Sequence, residues 1–409
     1  MTGEILFLCH RIPFPPDRGD KIRSYHILKR LAEIAPVHVG SFADDDRDMG
    51  FATDMQALTK SQCVLKRDRS RAIAGLAGLA KRQPMLVSLF ESREMHRWVK
   101  RTMRERPIAA VMGYSAQMAH FVPALPPGVR FVMDFVDLDS AKYAAYGAGS
   151  GGPMAWINRR EGRLLLEFER ATARRADLSA FVSEAEAALF RRASGLDAGR
   201  VIAIENGVAL DYFDPAAASE PVEGISGPLI VFTGQMDYRP NIEAVESFAH
   251  HTLPAVRSVH PDACFAIVGR NPVPQVEALK ALPGVIVTGS VPDVRGWLAA
   301  ADVVVAPLRI ARGIQNKVLE AMAMARPVVA SREAAEGIDA SNGKHFLIAA
   351  DPAEEVEKVA ALLADPERAQ RLGRAARARM EERYRWSETL KDLPTLLFGQ
   401  RGDASVRAA

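Results

Sequence analysis

The chain has 409 residues, 48% of them hydrophobic and 25% charged, with a net charge of +3. This ordinary globular usage excludes a disordered chain, a collagen-like chain and a disulfide scaffold; at roughly 150 residues per domain it predicts two or three domains. So small a net charge also argues against a nucleic-acid partner, whose binding face is strongly basic.

The first ten residues carry an acid at Glu4 and an apolar run of only Ile5–Cys9. That run is too short for a signal-peptide core and reads as a first strand. The loop from His10 to Lys21 is rich in proline and closes on Gly19 ahead of a helix predicted over Lys21–Ile34. A glycine at a helix start lets backbone N–H groups approach an anion, and Lys21 and Arg23 add positive charge. The alternative is a plain loop with Asp20 as N-cap. A second strand follows at Val37–Phe42. The stretch Phe51–Arg106 holds 13 Lys/Arg against 5 Asp/Glu, so about +8 is concentrated there and about −5 is spread elsewhere. Its most lipid-like part, Ala72–Phe90, is broken by Lys81, Arg82 and Pro84 and falls short of the ~20 apolar residues of a membrane span. On a helix predicted near its end, Trp98, Val99 and Met103 interleave with Arg97, Lys100, Arg101 and Arg104. That is either a solvated helix face or a basic amphipathic surface that docks on an anionic leaflet.

Four more strands are predicted at Ala109–Met112, Phe131–Asp134, Leu178–Val182 and Val201–Ile204, with a helix over Trp156–Ala176. Short apolar runs alternating with helices predict a parallel sheet covered on both faces. Three carboxylates, Asp134, Asp137 and Asp139, cluster after the fourth of the six strands. A carboxylate there can orient an acceptor hydroxyl or take its proton, although Asp139 and Ser140 equally suit helix capping. Ser183 and Glu186 fit a capping box, and Asn206-Gly207-Val208 is turn chemistry.

The segment 214–228 has almost no large apolar residue and reads as a linker between two domains, 1–213 and 229–384. The second half repeats the alternation. Strands are predicted at Leu229–Thr233, Phe265–Val268, Val285–Thr288, Val303–Ala306, Val328–Ala330 and Phe346–Ile348. Helices fit at Ile242–His251, Pro274–Leu282, Arg295–Ala300, Lys317–Ala325 and Ala353–Leu363. A last helix is predicted over 385–398, packing back toward the first domain and kinked or ended by Pro394, before a frayed tail, 399–409. The fold class is therefore α/β, with two facing Rossmann-like domains and a ligand cleft between them at the strand ends.

Gly234 and Gly269 each follow a strand of the second half, where a missing side chain admits a ligand. Tyr238-Arg239-Pro240-Asn241 then opens a helix. The densest segment runs from Ala306 through Arg312 and Gly313 to Ala323. Its helix starts near Asn316, so Lys317 and Glu320 share a face, and its N-terminal turn suits a diphosphate. Cys9, Cys63 and Cys264 offer neither metal-ligand spacing nor a disulfide framework, which fits a reduced, cytoplasmic location.

The architecture and the segment Gly313–Ala330, with its Glu-Ala-Met-Ala and Pro-Val-Val-Ala runs, resemble the group 1 glycosyltransferases. These are also called family 4 and have the two-Rossmann GT-B fold. Glu205-Asn206-Gly207-Val208 with Tyr212-Phe213, Phe232-Thr233-Gly234 and Ile267-Val268-Gly269 carry the same resemblance. Two further strings, Pro13 to Arg23 and Asp134 to Ser140, are similar to the sugar transferases of exosortase and exopolysaccharide clusters. The resemblance implies a retaining enzyme that moves a sugar from a nucleotide-diphosphate sugar to a glycan or lipid-linked acceptor, with no metal or other cofactor. It implies that Glu320 holds the ribose hydroxyls, that Val291 and Pro292 flank the nucleobase, and that Gly19 meets the diphosphate. With a lipid-linked acceptor, the basic amphipathic surface around Arg97–Arg104 is expected to make peripheral contact with the inner face of the cell membrane.

The departures from that pattern are local. The first Glu of the family's Glu-x7-Glu motif falls at Arg312, and its usual phosphate-binding Arg and Lys fall near Gln235 and Pro240. Its common catalytic His falls near Asp134 or Asp137. Because leaving-group stabilisation needs cations, Lys317 and Arg239 are the expected replacements, with Arg312 a weaker one. A nucleotide-sugar epimerase of the same fold and a non-catalytic nucleotide-sugar-binding protein are the alternative readings.

Overall fold

The computed structural model describes residues 3–67, 78, 82–148, 152–217, 222–311 and 314–399. The chain divides into two compact units, Met1–Glu205 with Leu390–Ala409, and Asn206–Thr389.

The first unit is built on seven parallel strands: β1 (Glu4–Cys9), β2 (Val37–Ala43), β3 (Ser61–Lys66), β4 (Ile108–Tyr114), β5 (Arg130–Val136), β6 (Leu178–Phe181) and β7 (Val201–Ala203). Their order in the sheet is β3-β2-β1-β4-β5-β6-β7. The chain thus winds outward in one direction from β1 and in the other from β4. Helices Gly19–Ile34, Arg93–Glu105, Gly152–Arg175 and Glu184–Ser194 pack on the sheet. All six strands expected from the sequence are present. The seventh, β3, is an edge strand that is half-buried along its length, with no fully buried position, so it lacks the continuous apolar run that marks the others.

The second unit carries β8 (Leu229–Thr233), β9 (Cys264–Val268), β10 (Val285–Gly289), β11 (Val303–Ala306), β12 (Val328–Ser331) and β13 (Leu347–Ala349) in the order β10-β9-β8-β11-β12-β13, again all parallel. Its direction of winding reverses between β8 and β11. The strands are buried on both faces because helices such as Arg239–Ser247 and Asn316–Ala323 cover them.

Two elements differ from expectation. The end of the chain is two short helices, Trp386–Thr389 and Leu393–Phe398, and not one over 385–398. Pro394 lies in the first turn of the second, where its missing N–H costs nothing; it starts a helix and does not stop one. Leu393 and Leu397 are buried, and this helix packs on β4 and β5 of the first unit. A long helix, Pro366–Arg383, was absent from the sequence expectations. Asp365 caps it by accepting from Arg368 N, and Pro366 occupies its first turn.

Candidate active site

In doubly wound sheets ligands bind beyond the strand carboxyl ends, where the winding reverses. In the first unit that point lies between β1 and β4. His10 follows β1 and stacks on Tyr114, the last residue of β4, with ring centroids 5.8 Å apart. Burial lowers the His10 pKa, with Asp20 opposing, and its Nδ1 has no hydrogen-bond partner. The loop that follows folds back through Asp20, whose carboxylate binds His10, Arg11 and Arg18. Burial raises the Asp20 pKa, but these neighbours hold it well below the usual carboxylate range. Asp20 is therefore a hub of side-chain contacts within the first helical turn, not an N-cap. Gly19 is the exposed first residue of that helix.

Lys21 and Arg23 do not face an anion as expected. Lys21 is 3% exposed and paired with Asp48 at 2.6 Å. Arg23 is 1% exposed and paired with the fully buried Asp134 at 2.9 Å. The Asp134 carboxylate also accepts from Val136 N at 3.0 Å. Burial pushes its pKa up while Arg23 pulls it down. Both Asp134 oxygens are engaged and neither meets solvent, unlike the available carboxylate expected at this strand end. Two strained residues frame the pair: Ser115 (φ 72°) after β4 and Val136 (φ 70°) at the end of β5. A β-branched residue at positive φ is a genuine outlier, of a kind that clusters at functional sites and costs about 1–3 kcal/mol.

Asp137 is different. The turn at Val136 leaves it partly exposed. Burial, with help from the Asp139 and Glu186 carboxylates, pushes its pKa up to about 7. Asp139 opens the helix Asp139–Ala148, and Glu186 accepts from Leu138 N at 2.7 Å. A carboxyl poised near neutrality and open to one side can exchange a proton with a hydroxyl. Ser183 caps its helix as expected, its hydroxyl accepting from Glu186 N at 3.3 Å.

In the second unit the reversal point lies between β8 and β11, and the Lys317 side chain converges on the end of β8. Its Nζ donates to Asn241 Oδ1 at 2.6 Å and lies 4.0 Å from the centroid of the Phe232 ring. Asn241 Nδ2 donates to Gln235 O at 2.8 Å, which fixes the amide. A Cβ at Gly234 would fall 2.8 Å from Asn241 Nδ2 and 3.0 Å from Lys317 Nζ, so glycine makes room for this cluster. Gly269 has a backbone role: a Cβ there would lie 1.6 Å from Gly234 O. Thr233 Oγ1, at the end of β8, is buried without a hydrogen-bond partner.

Burial lowers the Lys317 pKa to about 7, with Glu320 opposing. Burial likewise raises Glu320 to about 7, with Lys317 opposing. They lie on one helix, Asn316–Ala323, whose first turn also holds Asn316, bonded through Oδ1 to Asn206 Nδ2 at 3.1 Å. Arg239 contrasts with Lys317. Its side chain is 78% exposed and pairs with Glu243 one turn along at 2.7 Å, a surface pair worth little energetically. Val291 and Pro292 sit in the loop after β10, Val291 partly buried against the core and Pro292 exposed. Arg312 and Gly313 lie outside the described residues.

The sequence reasoning missed His10, Tyr114 and Asn241 as site residues. Strand-end position was the available signal for His10. Asn241 acquires its role only through the fold, which brings its amide to Lys317.

Two family models match this chain: "Glycosyl transferase 4-like domain" over residues 53–207 and "Glycosyl transferases group 1" over residues 227–365. Together they cover well over half of it. A phosphatidyl-myo-inositol mannosyltransferase of Propionibacterium freudenreichii subsp. shermanii is 29% identical over 158 residues, which is 38% of this chain and 39% of the relative. The chain thus spans about two fifths of the length of that curated relative. Among solved structures, Anabaena Alr3699/HepE in complex with UDP and glucose is 16% identical, with a TM-score of 0.66 over 95% of this chain and 97% of that one. WaaG, a glycosyltransferase involved in lipopolysaccharide biosynthesis, is 17% identical, with a TM-score of 0.66 over 97% and 100%. Sucrose-phosphate synthase from Thermosynechococcus elongatus is 18% identical, with a TM-score of 0.65 over 96% and 98%. Likeness at these identities speaks to the fold, a pair of Rossmann-like units.

Proposed function

The chain belongs to the group 1 glycosyltransferases, and from that premise we propose that it moves a sugar, with retention of anomeric configuration, from a nucleotide-diphosphate sugar to a glycan or lipid-linked acceptor in polysaccharide biosynthesis. The observation that carries this reading is the cluster at the β8/β11 reversal point. There a half-desolvated Lys317 is held by Asn241 beside the glycine that ends β8. A cation so placed neutralises charge developing on a departing diphosphate, and its low-dielectric surroundings strengthen that effect.

The other donor contacts follow on the same unit: Glu320 to the ribose hydroxyls, Gly234 beside the diphosphate, and the backbone at Val291 and Pro292 to the nucleobase. Gly269 serves by letting β8 and β9 close on each other. Arg239 is kept as a mobile surface cation that can turn from Glu243 to the donor. In the first unit Asp137 orients the acceptor hydroxyl and takes its proton, Asp134 fixes Arg23 and the β5 turn behind it, and Gly19 borders the sugar-diphosphate. The donor enters as a co-substrate, and the reaction is proposed to need no metal. The UDP and glucose in the Anabaena neighbour and the phosphatidyl-inositol mannosyltransferase relative support a nucleotide-sugar donor and a lipid-borne acceptor for this chain too.

A lipid acceptor places the enzyme at the inner face of the cell membrane as a peripheral protein. No helix among the described residues is long and apolar enough to cross a membrane. The contact is electrostatic, since the apolar face of Arg93–Glu105 is not free: Met95, Trp98, Val99 and Thr102 are buried in the first unit's core. Arg93, Arg97, Lys100, Arg101 and Arg104 remain exposed.

Incubation with a panel of UDP-, GDP- and ADP-sugars, with and without lipid-linked acceptors, tests the function. Acceptor-dependent nucleotide release is expected. Sugar interconversion without release points to an epimerase and contradicts the proposal, as does binding without turnover.

A further inference from the structure

Away from both reversal points, Glu91, His96 and His120 of the first unit converge. One ligand atom from each lies within 4.8 Å of the others. Glu91 precedes the helix Arg93–Glu105, His96 lies in that helix's first turn, and His120 belongs to the short 3-10 segment Ala116–Phe121. His96 Nε2 is 3.4 Å from Glu91 Oε1, and His120 Nε2 is 3.7 Å from Glu91 Oε2.

The hydrogen bonding of His120 decides what this cluster can hold. Its Nδ1 lies 2.5 Å from Gln117 O. A carbonyl only accepts, so Nδ1 carries the proton and Nε2 of the neutral ring presents a lone pair. That Nε2 is buried and has no hydrogen-bond partner. A lone pair therefore faces a carboxylate oxygen with no proton between them. Such a pair wants a cation. A backbone carbonyl on the other ring nitrogen is the arrangement that fixes tautomer and orientation in metal-binding histidines.

The remaining features suit an ion as well. Both imidazoles pack on Phe121, at 4.7 and 3.8 Å between centroids, which restricts their rotation. Glu91 also borders a cavity of about 290 Å³ lined by Phe42, Leu65, Arg67 and Ser92, and all three ligand residues are partly exposed. Two imidazoles and one carboxylate favour zinc and its first-row neighbours over magnesium or calcium, which prefer oxygen. Tetrahedral bonds of ~2.0–2.1 Å set ligand atoms about 3.3 Å apart; His96 Nε2 lies 3.4 Å from one Glu91 oxygen and His120 Nε2 3.7 Å from the other, so small side-chain rotations bring one oxygen and both nitrogens onto an ion.

We propose that Glu91, His96 and His120 form a binding site for one divalent transition-metal ion, zinc by preference, with the fourth position left to water. The ion ties the start of the helix Arg93–Glu105 to the segment after β4. This site is separate from the sugar-transfer chemistry and does not rest on that reading.

The test uses the full chain, stripped with chelator and dialysed. Zinc is added in a calorimetric titration, and cobalt is added while visible d–d absorption reports tetrahedral nitrogen and oxygen ligation. One equivalent per chain is expected, with a rise in melting temperature on zinc addition. His96→Ala, His120→Gln and Glu91→Gln should each weaken zinc at least tenfold and abolish the melting shift. His250→Ala, in an exposed histidine pair of the second unit, should change neither. Circular dichroism of the metal-free variants separates loss of the site from loss of the fold. His96→Ala and Glu91→Gln alter partly exposed side chains, so they supply folded variants should His120→Gln unfold. Absence of a stoichiometric site at micromolar zinc, or unchanged affinity in the folded variants, overturns the proposal.

Discussion

At the scale of single residues, Lys317 and Asp137, the two groups proposed to act on the reacting atoms, are set near neutrality by their surroundings. Burial lowers Lys317 to about 7 and, aided by neighbouring carboxylates, raises Asp137 to about 7. Their signs oppose. Lys317 carries its charge below that pH and loses it as pH rises, while Asp137 becomes a base only as pH rises. The expected kcat/KM profile is a narrow bell centred near 7. Arginine keeps its proton throughout this range, so Lys317→Arg should flatten the alkaline limb. Asp137→Asn should remove the acid limb along with most turnover. Steady-state rates between about pH 5.5 and 8.5 check this; a flat wild-type profile across that interval contradicts the assignments. Asp134 shows why residue type alone misled. It reads as an available acid in the sequence, yet the fold inserts Arg23 beside it and seals both. Leaving either partner alone would strand a buried charge at a cost of ~3–5 kcal/mol.

At the scale of elements, the helix Arg93–Glu105 separates pattern from exposure. Its sequence is amphipathic and basic, and amphipathicity alone cannot say whether the apolar stripe meets a core or a bilayer. The structure gives the stripe to the core, so only the charged face is left for a membrane. Binding to anionic vesicles should then rise with anionic lipid content and fall steeply with salt, at roughly 1 kcal/mol per basic residue near the surface. Replacing Arg97, Lys100 and Arg101 together by Gln should weaken it roughly a hundredfold or more at low ionic strength. Co-sedimentation that is insensitive to both salt and these substitutions would show the contact lies elsewhere. The strands teach a related lesson. Runs such as Leu229–Thr233 are legible because a parallel strand is apolar on both faces. β3 is not, because an edge strand needs no such run.

At the scale of the whole molecule, sequence order alone predicts two α/β units, since short apolar strands alternating with helices admit few other topologies. Which residues meet was less legible. Lys317 and Glu320 were visible through helical spacing, whereas the Lys317–Asn241 contact joins residues 76 positions apart and appears only on folding. The same holds for His10 with Tyr114. The proposed role of Lys317, stabilising the leaving diphosphate in a sugar transfer, is tested by the acceptor-dependent rate of nucleotide release by Lys317→Gln beside the wild type. Loss of one preorganised donor of this kind costs about 10²–10³ in kcat, or ~2.7–4 kcal/mol. We expect a fall of that size, with nucleotide-sugar affinity changing less than about tenfold because the lost interaction belongs mainly to the transition state. Equal turnover in the two proteins, or a loss confined to binding, would contradict it.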